Sequence, residues 1–126
     1  MRTKNYEDLV RDMEPGLERA CIQVLRFHIG KGKAIKKEKI LAELKRIGYF
    51  PHERQFRLAV ANLRRSGWLI CSYSAIGYFL AETQKEYEDF RDEELVARIT
   101  DLSETRKVMD AASRERFGEA VQVGLL

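Results

Sequence analysis

Cysteine, histidine, proline and tryptophan are all scarce in this chain of 126 residues, with two, two, two and one copies respectively. Cys21 and Cys71 stand in no CxxC pair and in no cluster with His28 or His52 at zinc-ligand spacing, so neither a structural zinc site nor a dithiol redox centre is expected. Each has apolar neighbours, and both read as small core residues of a protein in a reducing cytoplasm. No apolar run approaches the ~18 residues of a membrane span, and the start MRTKNYEDLVRDMEPG lacks the apolar middle of a secretory leader. A soluble, cytoplasmic protein with no membrane partner is therefore expected. Signatures of catalysis are missing as well. There is no glycine-rich phosphate loop, no HExxH, no GxSxG and no carboxylate pair in an apolar setting. The acids Glu86, Glu88, Asp89, Asp92, Glu93 and Glu94 read as the solvated face of a helix. No enzymatic activity, metal or cofactor is expected.

What the chain has is charge, unevenly placed. Charged residues make up 34% of it, and the net charge of +3 conceals two opposed halves. Residues 1–68 hold 16 Lys and Arg against 8 Asp and Glu, while residues 69–126 hold 7 against 12. Residues 26–68 alone hold 12 basic and 3 acidic side chains. A basic block inside an ordered, periodic segment is the footprint of a phosphate-binding face, although a lysine-rich solvated surface has the same count.

Periodicity places the elements. Residues 1–14 read as an arm of one or two helical turns. After Pro15-Gly16, Leu17, Cys21, Val24, Leu25 and His28 or Ile29 form one helical stripe that ends at Gly30-Lys31-Gly32. Lys33-Ala34-Ile35 is too short for a helix and reads as an edge strand. A helix is expected from Lys36 to Ile47 with Ile40, Leu41, Leu44 and Ile47 on one face, capped by Gly48. Another follows Pro51 or His52, with Glu53 favourably at its positive end and Phe56, Ala59, Val60 and Leu63 inward, closing at Gly67. A β-prone run from Trp68 to Tyr73, a turn at Ser74-Ala75-Ile76-Gly77 and a return through Tyr78-Phe79-Leu80 make a hairpin. Its aromatics read as packing groups.

The order helix, short strand, helix, turn, helix, hairpin resembles the winged helix-turn-helix family over residues 34–82. Phe56-Arg57, Val60, Leu63-Arg64-Arg65 and Gly67-Trp68-Leu69-Ile70-Cys71-Ser72 are similar to the end of the recognition helix and first wing strand of small bacterial and phage-type regulators. Gly77-Tyr78-Phe79-Leu80-Ala81 is similar to the returning strand. Where many members cap the recognition helix with Ser or Thr, this chain has His52 after Pro51. The resemblance implies a mainly α fold with a small β-hairpin, and sequence-specific binding of double-stranded DNA. With the inward stripe fixed, the face left outward carries base-reading and phosphate-pairing groups. Arg54, Gln55, Arg57 and Leu58 are expected to read bases; Asn62, Arg64 and Arg65, later on the helix, to meet phosphate. Lys36, Lys37 and Lys39 begin the preceding helix, where free N–H groups and cations suit a phosphate, and Lys33 adds charge beside them. The hairpin tip holds no Lys or Arg.

Beyond the hairpin, Thr83 and Glu86 form a capping-box pattern, and no proline or glycine interrupts the chain from there to Phe117. A helix spanning about 83–118 is expected, with 101–103 as a candidate break and 119–126 as a tail. Leu95, Ile99, Leu102 and Met109 are spaced to dimerise it with a second copy; folding back on its own domain is the competing reading. Two other roles stay open at this point: a winged-helix adaptor that binds a polymerase, replisome or packaging component without DNA, and a structural oligomer.

Overall fold

A computed structural model of the chain describes residues 6–118. The molecule is mainly helical, with one two-stranded antiparallel hairpin and a long C-terminal helix. In chain order the elements are α1 (Tyr6–Arg11), α2 (Leu17–Leu25), a 3-10 turn (Lys31–Lys33), α3 (Lys37–Arg46), α4 (Glu53–Arg65), β1 (Ile70–Tyr73), β2 (Gly77–Leu80), α5 (Gln84–Phe90), a π-helical stretch (Arg91–Val96) and α6 (Ala97–Phe117). Two compact units divide after Phe90. Residues 1–5 of the arm and the tail 119–126 lie outside the described residues.

The first unit is built by stripes that meet. From α2 come Ala20, Cys21, Val24 and Leu25, from α3 Ile40 and Leu44, and from α4 Phe56, Ala59, Val60 and Leu63, all buried in one cluster with Ile70 and Leu80 of the hairpin. Val10 of α1 joins the same cluster, so the arm packs on the domain from at least that point. The expected stripe of α3 holds at Leu41, which is partly buried against the core, and is lost only at its end, where Ile47 is exposed. Both α3 and α4 end in the same way. Gly48 and Gly67 take φ of +100°, and the N–H groups of Tyr49 and Trp68 reach back to the carbonyls of Leu44 and Leu63 at 2.9 and 3.0 Å. Only glycine enters that left-handed conformation cheaply, so each helix stops where its glycine stands.

The hairpin is buried on both faces. Ile70 pairs with Leu80 and Ser72 with Tyr78, facing the helices, where Tyr78 meets Phe56 edge-on at 5.4 Å. Cys71 pairs with Phe79 and Tyr73 with Gly77 on the other side. There Tyr73 stacks on Phe79 and meets Phe90 of α5 edge-on, each at 6.2 Å. Strand β2 also pairs outward. Ile35 and Tyr78 exchange two backbone hydrogen bonds of 2.8 Å, so the edge strand expected over Lys33-Ala34-Ile35 shrinks to one bridge at Ile35, Lys33 belonging to the 3-10 turn instead. This close approach requires a glycine. A Cβ on Gly77, whose φ is +100°, would strike the Ile35 carbonyl oxygen and lie 2.8 Å from the Lys36 nitrogen.

The capping signal at Thr83 holds, with a change of partner. Thr83 Oγ1 accepts from the Glu86 N–H at 3.1 Å, while the Glu86 carboxylate accepts from the N–H groups of Glu82 and Lys31, both at 2.9 Å. One acid thus joins the start of α5 to the 3-10 turn 55 residues earlier.

In the second unit, helical structure runs from Arg91 through Phe117, and its irregularity falls at Arg91–Val96. Residues 101–103, the expected break, lie within regular α6. Ile99, Leu102 and Met109 are exposed, Leu102 at 71%, and Leu95 is partly buried. No helix among the described residues is long and apolar enough to cross a membrane.

Candidate nucleic-acid interface

Helix α4 begins with a complete capping box. His52 Nδ1 accepts from the Gln55 N–H at 3.3 Å, and Gln55 Oε1 accepts from the His52 N–H at 3.0 Å. Histidine therefore does what Ser or Thr does at other helix starts: it supplies an acceptor to one of the four unsatisfied N–H groups. The signal in the sequence was Gln55, three residues after the cap.

From that start, helical geometry sorts the outward side chains into three strips. Arg54, Leu58, Ala61 and Arg65, at spacings of four, three and four, form the central one; Arg54, Leu58 and Arg65 are exposed. Arg57 is exposed beside it. On one flank Gln55, Leu58 and Asn62 line an open cleft of about 630 Å³, whose opposite wall is residues 13–18. Asn62 Nδ2 donates across to Glu18 Oε2 at 3.2 Å. On the other flank lie Glu53, Arg57 and Arg64. Glu53 receives Lys37 Nζ at 2.6 Å, which ties the start of α4 to the start of α3. That ion pair, with Arg57 nearby, holds the Glu53 carboxyl below its ordinary range and the Lys37 ammonium above its own.

The cations nominated from sequence thus divide by what they touch. Arg64 is half-buried: its Nε donates to the Ile70 carbonyl at 2.9 Å, its Nη2 to Ser72 Oγ at 3.0 Å, and its guanidinium lies 5.2 Å from the Phe90 ring centre. It binds α4 to β1 and α5. Lys36 caps the start of α3 with its backbone, and its Nζ donates to the carbonyls of Ala75 and Ser74 at 2.7 and 3.4 Å, holding the hairpin turn. Lys37 is committed to Glu53. By contrast Lys33, Lys39, Arg54, Arg57 and Arg65 are exposed, and their side chains make no hydrogen bond or ion pair to a described residue, Arg57 lying near Glu53 without pairing with it. The start of α3 has no side-chain cap, and although the Lys39 N–H closes on the Lys36 carbonyl at 3.0 Å, those of Lys37 and Glu38 make no hydrogen bond to a described residue.

A second concavity of about 830 Å³ runs between the end of α2 and α3, lined by no α4 residue. Its apolar members Val24, Phe27, Ile35 and Ile47 stand among Arg26, Lys39 and Arg46, the last paired at 2.6 Å with Glu43, which also lines the groove. Phe27 is 68% and Ile47 45% exposed. Phe27 falls between the members of the stripe expected to reach His28 or Ile29, whereas α2 itself stops at Leu25 and leaves Phe27 exposed beyond it.

Burial pushes the Cys21 thiol up to about 12 and the Cys71 thiol up to about 11, and both are free. No group of three or more potential metal ligands occurs among the described residues. Compared with known proteins, the chain matches no family model, no curated protein and no solved structure.

Proposed function

We propose that the first unit is a winged helix-turn-helix domain that binds double-stranded DNA sequence-specifically, with α4 in the major groove. The observation that carries this reading is the outward strip of α4. Arg54, Arg57 and Arg65 are exposed and their guanidinium groups make no hydrogen bond to a described residue, although Arg57 lies near Glu53, on a capped helix backed by a fully buried face. A planar guanidinium left free of hydrogen bonds within the fold suits guanine edges and phosphates, with which it pairs bidentately. Lys33, Lys39 and the uncapped start of α3 supply phosphate contacts that set the register. Arg64, Lys36 and Lys37 serve the interface indirectly, by fixing the hairpin and the α3–α4 angle. The protein acts as a transcriptional regulator or a phage-type DNA-site-binding protein. The exposed Ile99, Leu102 and Met109 of α6, with Leu95 of the π-helical stretch before it, pair with a second copy, which gives a homodimer that reads a two-part site.

A second reading is favoured by the groove at Phe27 and Ile47: an adaptor that takes an acidic, apolar segment of a protein partner there, without DNA. Amide shifts on adding a mixed-sequence duplex to isotope-labelled protein separate the two. Shifts concentrated at Arg54, Arg57, Ala61 and Arg65 support DNA binding by α4; an unperturbed α4 at low salt removes it and leaves the adaptor.

A further inference from the structure

The outward face of α4 is cationic, yet its first helical position is an acid. Glu53 follows the His52 cap, its side chain is 53% exposed, and its Oε1 lies 2.6 Å from Lys37 Nζ. No hydrogen bond to a described residue engages Oε2. An acid here suits the positive end of the helix, and its pair with Lys37 joins α4 to α3, but both uses leave one carboxylate oxygen over. An exposed ion pair contributes little, and the His52–Gln55 box already serves the helix start. For phosphate binding a carboxylate at the leading end of the face is a handicap, because it repels the backbone. For reading bases it is an asset. Lys37 cancels its charge and holds one oxygen, which leaves the second as an acceptor on a fixed arm at the end of the helix that reaches base edges.

Only one base suits such an acceptor alone. In the major groove guanine presents two acceptors and thymine an acceptor and a methyl group. Adenine sets its amino group beside the N7 acceptor, whereas cytosine offers the N4 amino group by itself. We propose that Glu53 reads a cytosine in the major groove, its Oε2 accepting from the N4 amino group while Lys37 fixes and neutralises the carboxylate. Arg57, one turn further along the same flank, is then placed to meet a neighbouring guanine. This assignment rests on the DNA-binding reading above and adds a specificity-determining residue of opposite charge to it.

The test is selection of bound duplexes from a random library, sequenced for wild type, Glu53→Gln and Glu53→Asp. The wild type should enrich a motif with a cytosine position favoured by about five- to tenfold. Glutamine pairs with adenine, so E53Q should move that position from cytosine towards adenine and leave the others unchanged. E53D keeps the charge at the helix start but withdraws it by one methylene, and should lose the cytosine preference without gaining adenine. A wild-type motif with no cytosine position, or one that both variants reproduce, overturns the assignment and leaves DNA binding by α4 standing. No enriched motif for the wild type overturns both.

Discussion

Replacing Arg64 with Ala should destabilise the first unit far more than the same change at its neighbour Arg65. The Arg64 guanidinium donates to the Ile70 carbonyl and to Ser72 Oγ and lies over Phe90, so it joins three elements. A hydrogen bond from a charged donor contributes about 1.5–3 kcal/mol, reduced here because the side chain is only half-buried. The contact with Phe90 adds about 0.5–1 kcal/mol. Removing both, and leaving the Ile70 carbonyl without its donor, should cost about 3 kcal/mol. For a unit of this size that lowers the melting temperature by roughly 12–20 °C. Arg65 is exposed with no such partners, and R65A should stay within about 0.5 kcal/mol of wild type. Urea unfolding followed by circular dichroism measures both. R64K keeps the charge but loses the planar fork, and should fall between. Equal unfolding midpoints for R64A and R65A would refute the assignment of Arg64 as a structural clip and return it to the set of phosphate contacts.

Gly77→Ala should unfold or severely destabilise the domain, by about 3 kcal/mol or more, because it strains a φ of +100° and drives a methyl into the Ile35 carbonyl; thermal melts read this directly. Both thiols should resist iodoacetamide in the native protein at pH 8 and react once urea is added, since burial holds Cys21 up to about 12 and Cys71 up to about 11. In the unfolded chain they ionise near the ordinary 9.0, so stability should be full below that pH and decline from there towards 12. Fast native alkylation would contradict their burial. Leu102→Glu should convert a dimer into a monomer without altering the melting of the first unit; light scattering that gives one mass for both proteins would remove α6 as the pairing element.

The sequence already displayed what local periodicity encodes. The inward stripe of α4, the stops at Gly48 and Gly67 and the Thr83 cap follow from spacings of three and four residues and from single special positions. Pairings set by distant neighbours were hidden. Counting charge ranks Arg64 and Arg65 alike, yet only Arg64 points at β1 and α5. In the same way Lys36 is drawn to a turn 38 or 39 residues away, Asn62 to Glu18 across 44, and the Glu86 carboxylate to Lys31 across 55. The π-helical stretch at Arg91–Val96 carries no Gly or Pro to announce it. Of the cations expected on the outward face, the side chains of Arg54, Arg57, Arg65, Lys33 and Lys39 are exposed without a hydrogen bond to a described residue, whereas Arg64, Lys36 and Lys37 are engaged within the fold.

The most direct test of α4 as a DNA-reading helix is a fluorescence anisotropy titration of a labelled duplex with wild type and with R54A/R57A/R65A, repeated from about 50 to about 200 mM salt. With four phosphates neutralised, wild-type affinity should fall by about a hundredfold across that range on a straight log–log line. The triple variant, which keeps every buried residue of α4, should bind more weakly throughout and with a shallower slope. A wild type with no duplex affinity at the lowest salt, or a variant that follows the wild-type line, would contradict it.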